Sequence, residues 1–220
     1  MKRKNDQKNI CNEKAELGGK RLGIIGGTFN PVHIGHLLLA EWALDFAELD
    51  QILFIPTGFP YLKKEPPVLG GEERLRMVEM AVSHREDFLC SDIEVKRKGH
   101  TYTYETLEAL SETNPDSRFF FIAGADCLET IEHWRYPEKI FKSCTLIAAI
   151  RSGTSLAEME IKKLELTKRY SADILLMPFP DLAISSTNIR ERIKQGKSIR
   201  YLLPDNIIKY IKDKSLYIDI

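Results

Sequence analysis

Two histidines three residues apart, His33 and His36, close the run Gly26-Gly27-Thr28-Phe29-Asn30-Pro31-Val32-His33-Ile34-Gly35-His36. Imidazoles at that spacing share one face of a helix, and in its first turn they sit beside backbone N–H groups that have no partner within the helix. Those donors and the positive end of the helix dipole suit an anion, phosphate above all. A second group of this kind lies near the other end of the chain. Ser186 and Thr187 open a helical pattern, and Arg190 follows one turn on. Hydroxyls, free N–H groups and a guanidinium that can grip phosphate at two points make a second anion site. Two such sites facing one cleft fit a polyphosphate held at both ends. Imidazoles and an arginine around the reacting phosphate would act by positioning and by stabilising charge. The sequence holds no GxxxxGK[ST] and no intact GxGxxG, and spacing supports no Ser–His–Asp or Cys–His arrangement.

The elements that must hold these groups follow from periodicity. Residues 22–25 form a short apolar run before the glycines, and residues 37–47 a long one after them. The glycine pair reads as the turn between strand and helix, with Asn30 as N-cap and Pro31 as the first helical residue. Residues 52–55, 119–123, 146–150 and 174–177 are again short and nearly all apolar. Such strands are buried on both faces, as in a parallel sheet. Helical patterns lie between them at 72–83, 104–112 and 155–170. On the first helix, Glu41, Asp45 and Glu48 make one narrow charged stripe, which predicts a largely buried element. The alternation predicts an α/β fold, a doubly wound, mostly parallel, Rossmann-like sheet with helices on both faces.

Ligands of such sheets bind beyond the carboxyl ends of the strands. Two further candidates follow strands: Gly124-Ala125-Asp126, and a proline-rich loop at 56–67 that carries Lys63 and Lys64. Asp126 could accept hydrogen bonds from ribose hydroxyls or serve as a plain N-cap. Trp134 could stack on a flat ring or belong to the core.

Bulk numbers narrow the classes. A chain of 220 residues, 43% hydrophobic, is long enough for one well-buried domain, read as residues 21–220. Residues 1–20 are polar and lysine-rich and are expected to be a disordered tail. Lys+Arg and Asp+Glu both number 32, so no overall field draws the chain to nucleic acid or to an anionic membrane. Cys11, Cys90, Cys127 and Cys144 are far apart, with no CxxC pair and no zinc spacing, so they read as thiols of a reducing cytosol with no metal role. There is no secretory h-region and no membrane-length apolar run, which predicts a cytoplasmic protein.

His33-Ile34-Gly35-His36 after a Gly-Thr-Phe turn, with Ile184-Ser185-Ser186-Thr187-Asn188-Ile189-Arg190, resembles the nucleotidyltransferase superfamily with (H/T)xGH and SSTxxR motifs. The full string GGTFNPVHIGH, Thr101-Tyr102-Thr103, Gly124-Ala125-Asp126 and Trp134 are similar to bacterial nicotinate-nucleotide adenylyltransferases, over residues 22–217. The resemblance implies transfer of AMP from ATP to nicotinate mononucleotide, giving deamido-NAD and pyrophosphate in NAD biosynthesis. The attack would be in line and direct, without a covalent intermediate, and magnesium would travel on the ATP phosphates. Gly26, Gly27, Thr28 and Phe29, with His33 and His36, would contact the ATP phosphates and adenosine. His36 is the stronger candidate for stabilising charge at the α-phosphate. Ser186, Thr187 and Arg190 would hold the β- and γ-phosphates that leave, and His33, His36 and Arg190 form the catalytic group. Gly124 and Asp126 would meet adenosine, Thr103 and Trp134 would frame the nicotinate ring, and Lys63 would meet the mononucleotide phosphate.

Two departures stand out. Asn30 replaces the usual aspartate, and Pro60-Tyr61-Leu62-Lys63 replaces Pro-Pro-His-Lys, so Leu62 supplies no imidazole. His-Ile-Gly-His also occurs in class I aminoacyl-tRNA synthetases, but no KMSKS-like segment accompanies it here. The neighbouring readings are an adenylyltransferase that accepts nicotinamide mononucleotide or phosphopantetheine, and a nucleotide-binding regulator without catalysis. The sequence leaves the oligomeric state open, a homo-oligomer included.

Overall fold

The computed structural model describes residues 19–58, 69–151, 153 and 155–218. Lys63 and nearly all of the expected tail lie outside them. The elements run β1 (Arg21–Gly27), α1 (Ile34–Phe46), β2 (Gln51–Pro56), α2 (Gly71–Val82), β3 (Phe88–Cys90) and α3 (Thr103–Thr113). They continue with β4 (Arg118–Gly124), α4 (Cys127–Thr130), a 3-10 turn (Ile131–His133), α5 (Pro137–Ser143), β5 (Thr145–Ile150), α6 (Leu156–Tyr170), β6 (Ile174–Pro178), α7 (Ser186–Lys194) and α8 (Asp205–Asp213). Among the described residues no helix is long and apolar enough to cross a membrane.

The six strands form one sheet in the order β3-β2-β1-β4-β5-β6. Every pairing is parallel. The chain winds outward from β1 through β2 to β3, then returns to β4 beside β1 and winds the other way. The crevice between the carboxyl ends of β1 and β4 is therefore the switch point where such sheets bind ligands. The doubly wound expectation holds.

Alternate residues of each strand enter two separate cores. Ile25, Phe54, Phe120, Ile122 and Met177 face one layer, which α1, α2, α7 and α8 cover with Ala40, Met77, Ile189 and Ile207. Ile24, Leu53, Phe121, Leu146 and Ala148 face the other, covered from α3, α5 and α6 by Leu107, Ile140 and Leu166. This double burial is why the strands read as unbroken apolar runs. The five strands and four helices expected from periodicity are present, while β3 adds a strand of only three residues at the sheet edge.

Three expectations need correction. Gly26 and Gly27 are not the turn: they are the last residues of β1, in register with Ile55 and Pro56. The first helix begins at Ile34, so Asn30 is not its cap and Pro31 is not its first residue. Asn30 is instead 4% exposed, and its side chain is engaged by distant parts of the chain. Finally, α1 is not largely buried. Only Ala40 and Ala43 are fully covered, and Trp42 and Phe46 stand 41% and 43% exposed. An apolar composition on all sides does not say which face meets the core.

Candidate active site

The turn after β1 is built around Phe29. Its backbone takes a positive φ of 47°, and its ring is 2% exposed. A Cβ on Gly27 would lie 3.2 Å from that ring, so the glycine is there to leave room for Phe29. The Phe29 ring in turn meets His36 edge-on, with centroids 4.9 Å apart. His33 stands at the N-cap position of α1, and its backbone N–H donates to His36 Nδ1 at 3.1 Å. The two imidazoles are stacked, with centroids 3.6 Å apart.

This geometry divides their roles. Because His36 Nδ1 accepts a hydrogen bond, its neutral form carries its proton on Nε2, which is then a donor. His33 is 7% exposed, and burial, aided by the nearby Arg151 charge, pushes its imidazole down to about 4. His33 is therefore neutral near pH 7, and it packs against His36 without competing charge. A lowered histidine pKa means that protonation favours the unfolded chain. Its contribution is complete above about pH 6.5 and is lost as the pH falls toward 4. Between pH 7.5 and 5 the wild type should lose about 2 kcal/mol of unfolding free energy that His33→Asn does not lose. Denaturant titrations of both proteins across that range measure the difference, and parallel curves would refute a buried neutral His33.

The second group arrives at this same turn from the far end of the chain. Ser185 caps α7 by accepting from the Asn188 N–H at 3.1 Å. Ser186 Oγ then donates to the Pro31 carbonyl at 2.8 Å. Arg190 donates through Nη1 to the Asn30 carbonyl at 2.8 Å and through Nη2 to Thr187 Oγ1 at 3.2 Å. Tyr217 completes the attachment by donating to Asn30 Oδ1 at 2.9 Å, where the Leu69 N–H also donates at 3.4 Å. Burial raises the Tyr217 phenol well above its usual range, so it stays a donor. The two groups expected from sequence to bind anions are therefore joined at one turn.

Beside it opens a cavity of about 280 Å³, lined by Gly26, Gly27, Thr28, Thr103 and Trp134 among others. Trp134 meets Phe121 edge-on at 6.0 Å and is half-buried at the cavity wall, so it belongs both to the core margin and to the site. Across the switch point, Asp126 does not cap the short helix α4 with its side chain. It is exposed, and its Oδ1 would lie 2.5 Å from a Cβ on Gly124, which explains the glycine.

One residue escaped sequence reasoning. Arg74 of α2 is 1% exposed, and it donates to four backbone carbonyls: Leu69 at 2.9 Å, Thr28 at 2.7 Å, Thr57 at 2.6 Å and Gly58 at 2.9 Å. It thereby ties the turn after β1 to the end of β2, and both strand ends border the cavity. The signal was available, since Arg74 lies in phase with buried Met77, Val78 and Ala81 on the apolar face of its helix.

The chain is similar to several known proteins. A cytidylyltransferase-like family model matches residues 24–192. A probable nicotinate-nucleotide adenylyltransferase of Lachnoclostridium phytofermentans is 40% identical over 199 residues, covering 90% of this chain and 100% of that protein. One from Clostridium botulinum is 42% identical over 198 residues, covering 90% and 98%. In structure, the chain is similar to the Plasmodium falciparum nicotinic acid mononucleotide adenylyltransferase complexed with NaAD. The TM-score is 0.73 at 20% identity, over 90% of this chain and 97% of that one.

Proposed function

The chain belongs to the nicotinate-nucleotide adenylyltransferase family, and from that premise we propose that it transfers AMP from ATP to nicotinate mononucleotide, giving deamido-NAD and pyrophosphate for NAD biosynthesis. The observation that carries this reading is the seating of Ser186 and Arg190 on the backbone of the turn that presents His36. Donors from both ends of the chain then face one triphosphate, next to a cavity large enough for an aromatic ring.

In this mechanism a phosphate oxygen of the mononucleotide attacks the α-phosphorus of ATP. The bond from that phosphorus to the bridging oxygen breaks, and pyrophosphate leaves. No side chain forms a bond to phosphorus, so the catalytic work is alignment and charge stabilisation. His36 Nε2–H donates to the α-phosphate as negative charge moves through it. Arg190 neutralises the β- and γ-phosphates, Ser186 and Thr187 hold them from the N-terminus of α7, and the Gly26–Phe29 segment lets the nucleotide approach the backbone. Gly124 and Asp126 meet the adenosine, with the Asp126 carboxylate accepting from ribose hydroxyls. Thr103 and Trp134 frame the pyridine ring. The donors around the turn are imidazole, hydroxyl and guanidinium, which suit phosphate oxygens better than a hard cation. Magnesium would therefore be carried by the phosphates and would add charge neutralisation there.

Incubation with ATP, magnesium and each candidate acceptor tests the reading. Pyrophosphate release should be fastest with nicotinate mononucleotide. Turnover on phosphopantetheine alone would move the chain to a neighbouring subfamily, and ATP binding without turnover on any acceptor would make it a regulator.

A further inference from the structure

The cavity beside the turn is apolar along most of its wall, and few ionisable side chains line it. Glu94 is the carboxylate among its lining residues, and it accepts from Thr106 Oγ1 at 2.8 Å, while burial raises its pKa and disfavours its charge. His133 and Arg135, which flank Trp134 in sequence, line the same cavity.

Arg135 is held in place although it is exposed. Its guanidinium carbon lies 4.8 Å from the centroid of the Tyr102 ring and 5.6 Å from that of Tyr136. Its Nη1 donates to Tyr102 Oη at 3.2 Å. The left-handed backbone of Tyr136, with φ at 52°, turns the chain into Pro137 at the start of α5 and brings the second ring alongside. Stacking on aromatic rings orients a planar cation while leaving its other N–H groups free to bind an anion. Tyr102 is also the N-cap residue of α3, whose first residue, Thr103, lines the cavity. The positive end of that helix and the clamped guanidinium therefore converge on one side of the ring site.

On the reading that the acceptor is a pyridine mononucleotide, we propose that Arg135 sets specificity, favouring a ring carboxylate over a ring carboxamide. A carboxylate gains a charge-assisted partner at this rim, whereas a neutral amide gains little from the cation. Discrimination of this kind shows in the ratio of kcat/KM values between the two acceptors.

The experiment compares wild type, R135Q and R135K with nicotinate and nicotinamide mononucleotides at saturating ATP. R135Q should lose about tenfold to a hundredfold in kcat/KM for the nicotinate substrate, mainly through KM. Its kcat/KM for the nicotinamide substrate should stay within about threefold, and R135K should recover part of the ratio. Equal losses on both acceptors, or an unchanged ratio in a wild type that prefers nicotinate, would overturn this assignment alone. A wild type that turns over neither mononucleotide would overturn the functional reading, and this assignment with it.

Discussion

His36→Ala should lower kcat by on the order of a hundredfold or more while costing about 1 kcal/mol or less of stability. The expectation rests on what each nitrogen of His36 does. Nδ1 is occupied by the His33 N–H, so the ring is oriented from behind, with Phe29 against its edge and His33 stacked on its face. Nε2–H is the donor assigned to the substrate, and a donor fixed before the reaction costs no reorganisation as charge develops. Alanine removes that donor. It also leaves the His33 N–H without its side-chain partner, which accounts for the small loss of stability. His36→Asn, which keeps an amide donor at shorter reach, should recover part of the rate. Steady-state kinetics beside thermal melts separate the two effects. An unchanged kcat in His36→Ala would reduce His36 to a helix-start residue.

Arg74→Met should destabilise the protein by roughly 3 kcal/mol or more, the largest stability effect expected of any single side chain near the site. Arg74 satisfies four carbonyls with one guanidinium, and methionine fills similar volume with no donor. Leaving several buried acceptors unpaired costs more than losing ordinary surface bonds. Two of the four carbonyls belong to Thr28 and Thr57, which line the cavity. The KM for the mononucleotide should therefore rise as well, even at temperatures where the variant remains folded. Arg74→Lys, with three donors on a flexible stem in place of a planar fork, should fall between the two. Wild-type stability in Arg74→Met would show that water can replace the guanidinium at these carbonyls.

The contrast between these two residues shows what a sequence discloses. His36 was legible because its chemistry and its position agree: an imidazole in the first turn of a helix after a glycine-bearing strand. Ser186 and Arg190 were legible as candidates for the same reason, though nothing local said that they meet the first turn; the chain returns there only after the edge strand β6. The strands were legible because both faces are buried, whereas β3, with three residues, offers no period to detect. Arg74 was hidden by habit of reading, since a charge at a helix start suggests solvent. Asn30 was misread because a residue that commonly caps helices is here committed to tertiary hydrogen bonds. Its side chain accepts from Tyr217 and Leu69, and an amide oxygen does this as well as a carboxylate oxygen does.

The attachments of the first turn also fix when the site can exist. Ser186, Arg190 and Tyr217 reach back across 155, 160 and 187 residues to hold Pro31 and Asn30. During synthesis β1 and its histidines leave the ribosome well before the residues that clamp them. A nascent chain thus carries the recognisable motif long before the turn that bears it is clamped. Contacts of such sequence separation also form late in folding, after the entropy of closing long loops has been met. Assembly of this turn is in this way tied to segments far downstream in the sequence, and loss of the Tyr217 hydroxyl would remove one of its pins.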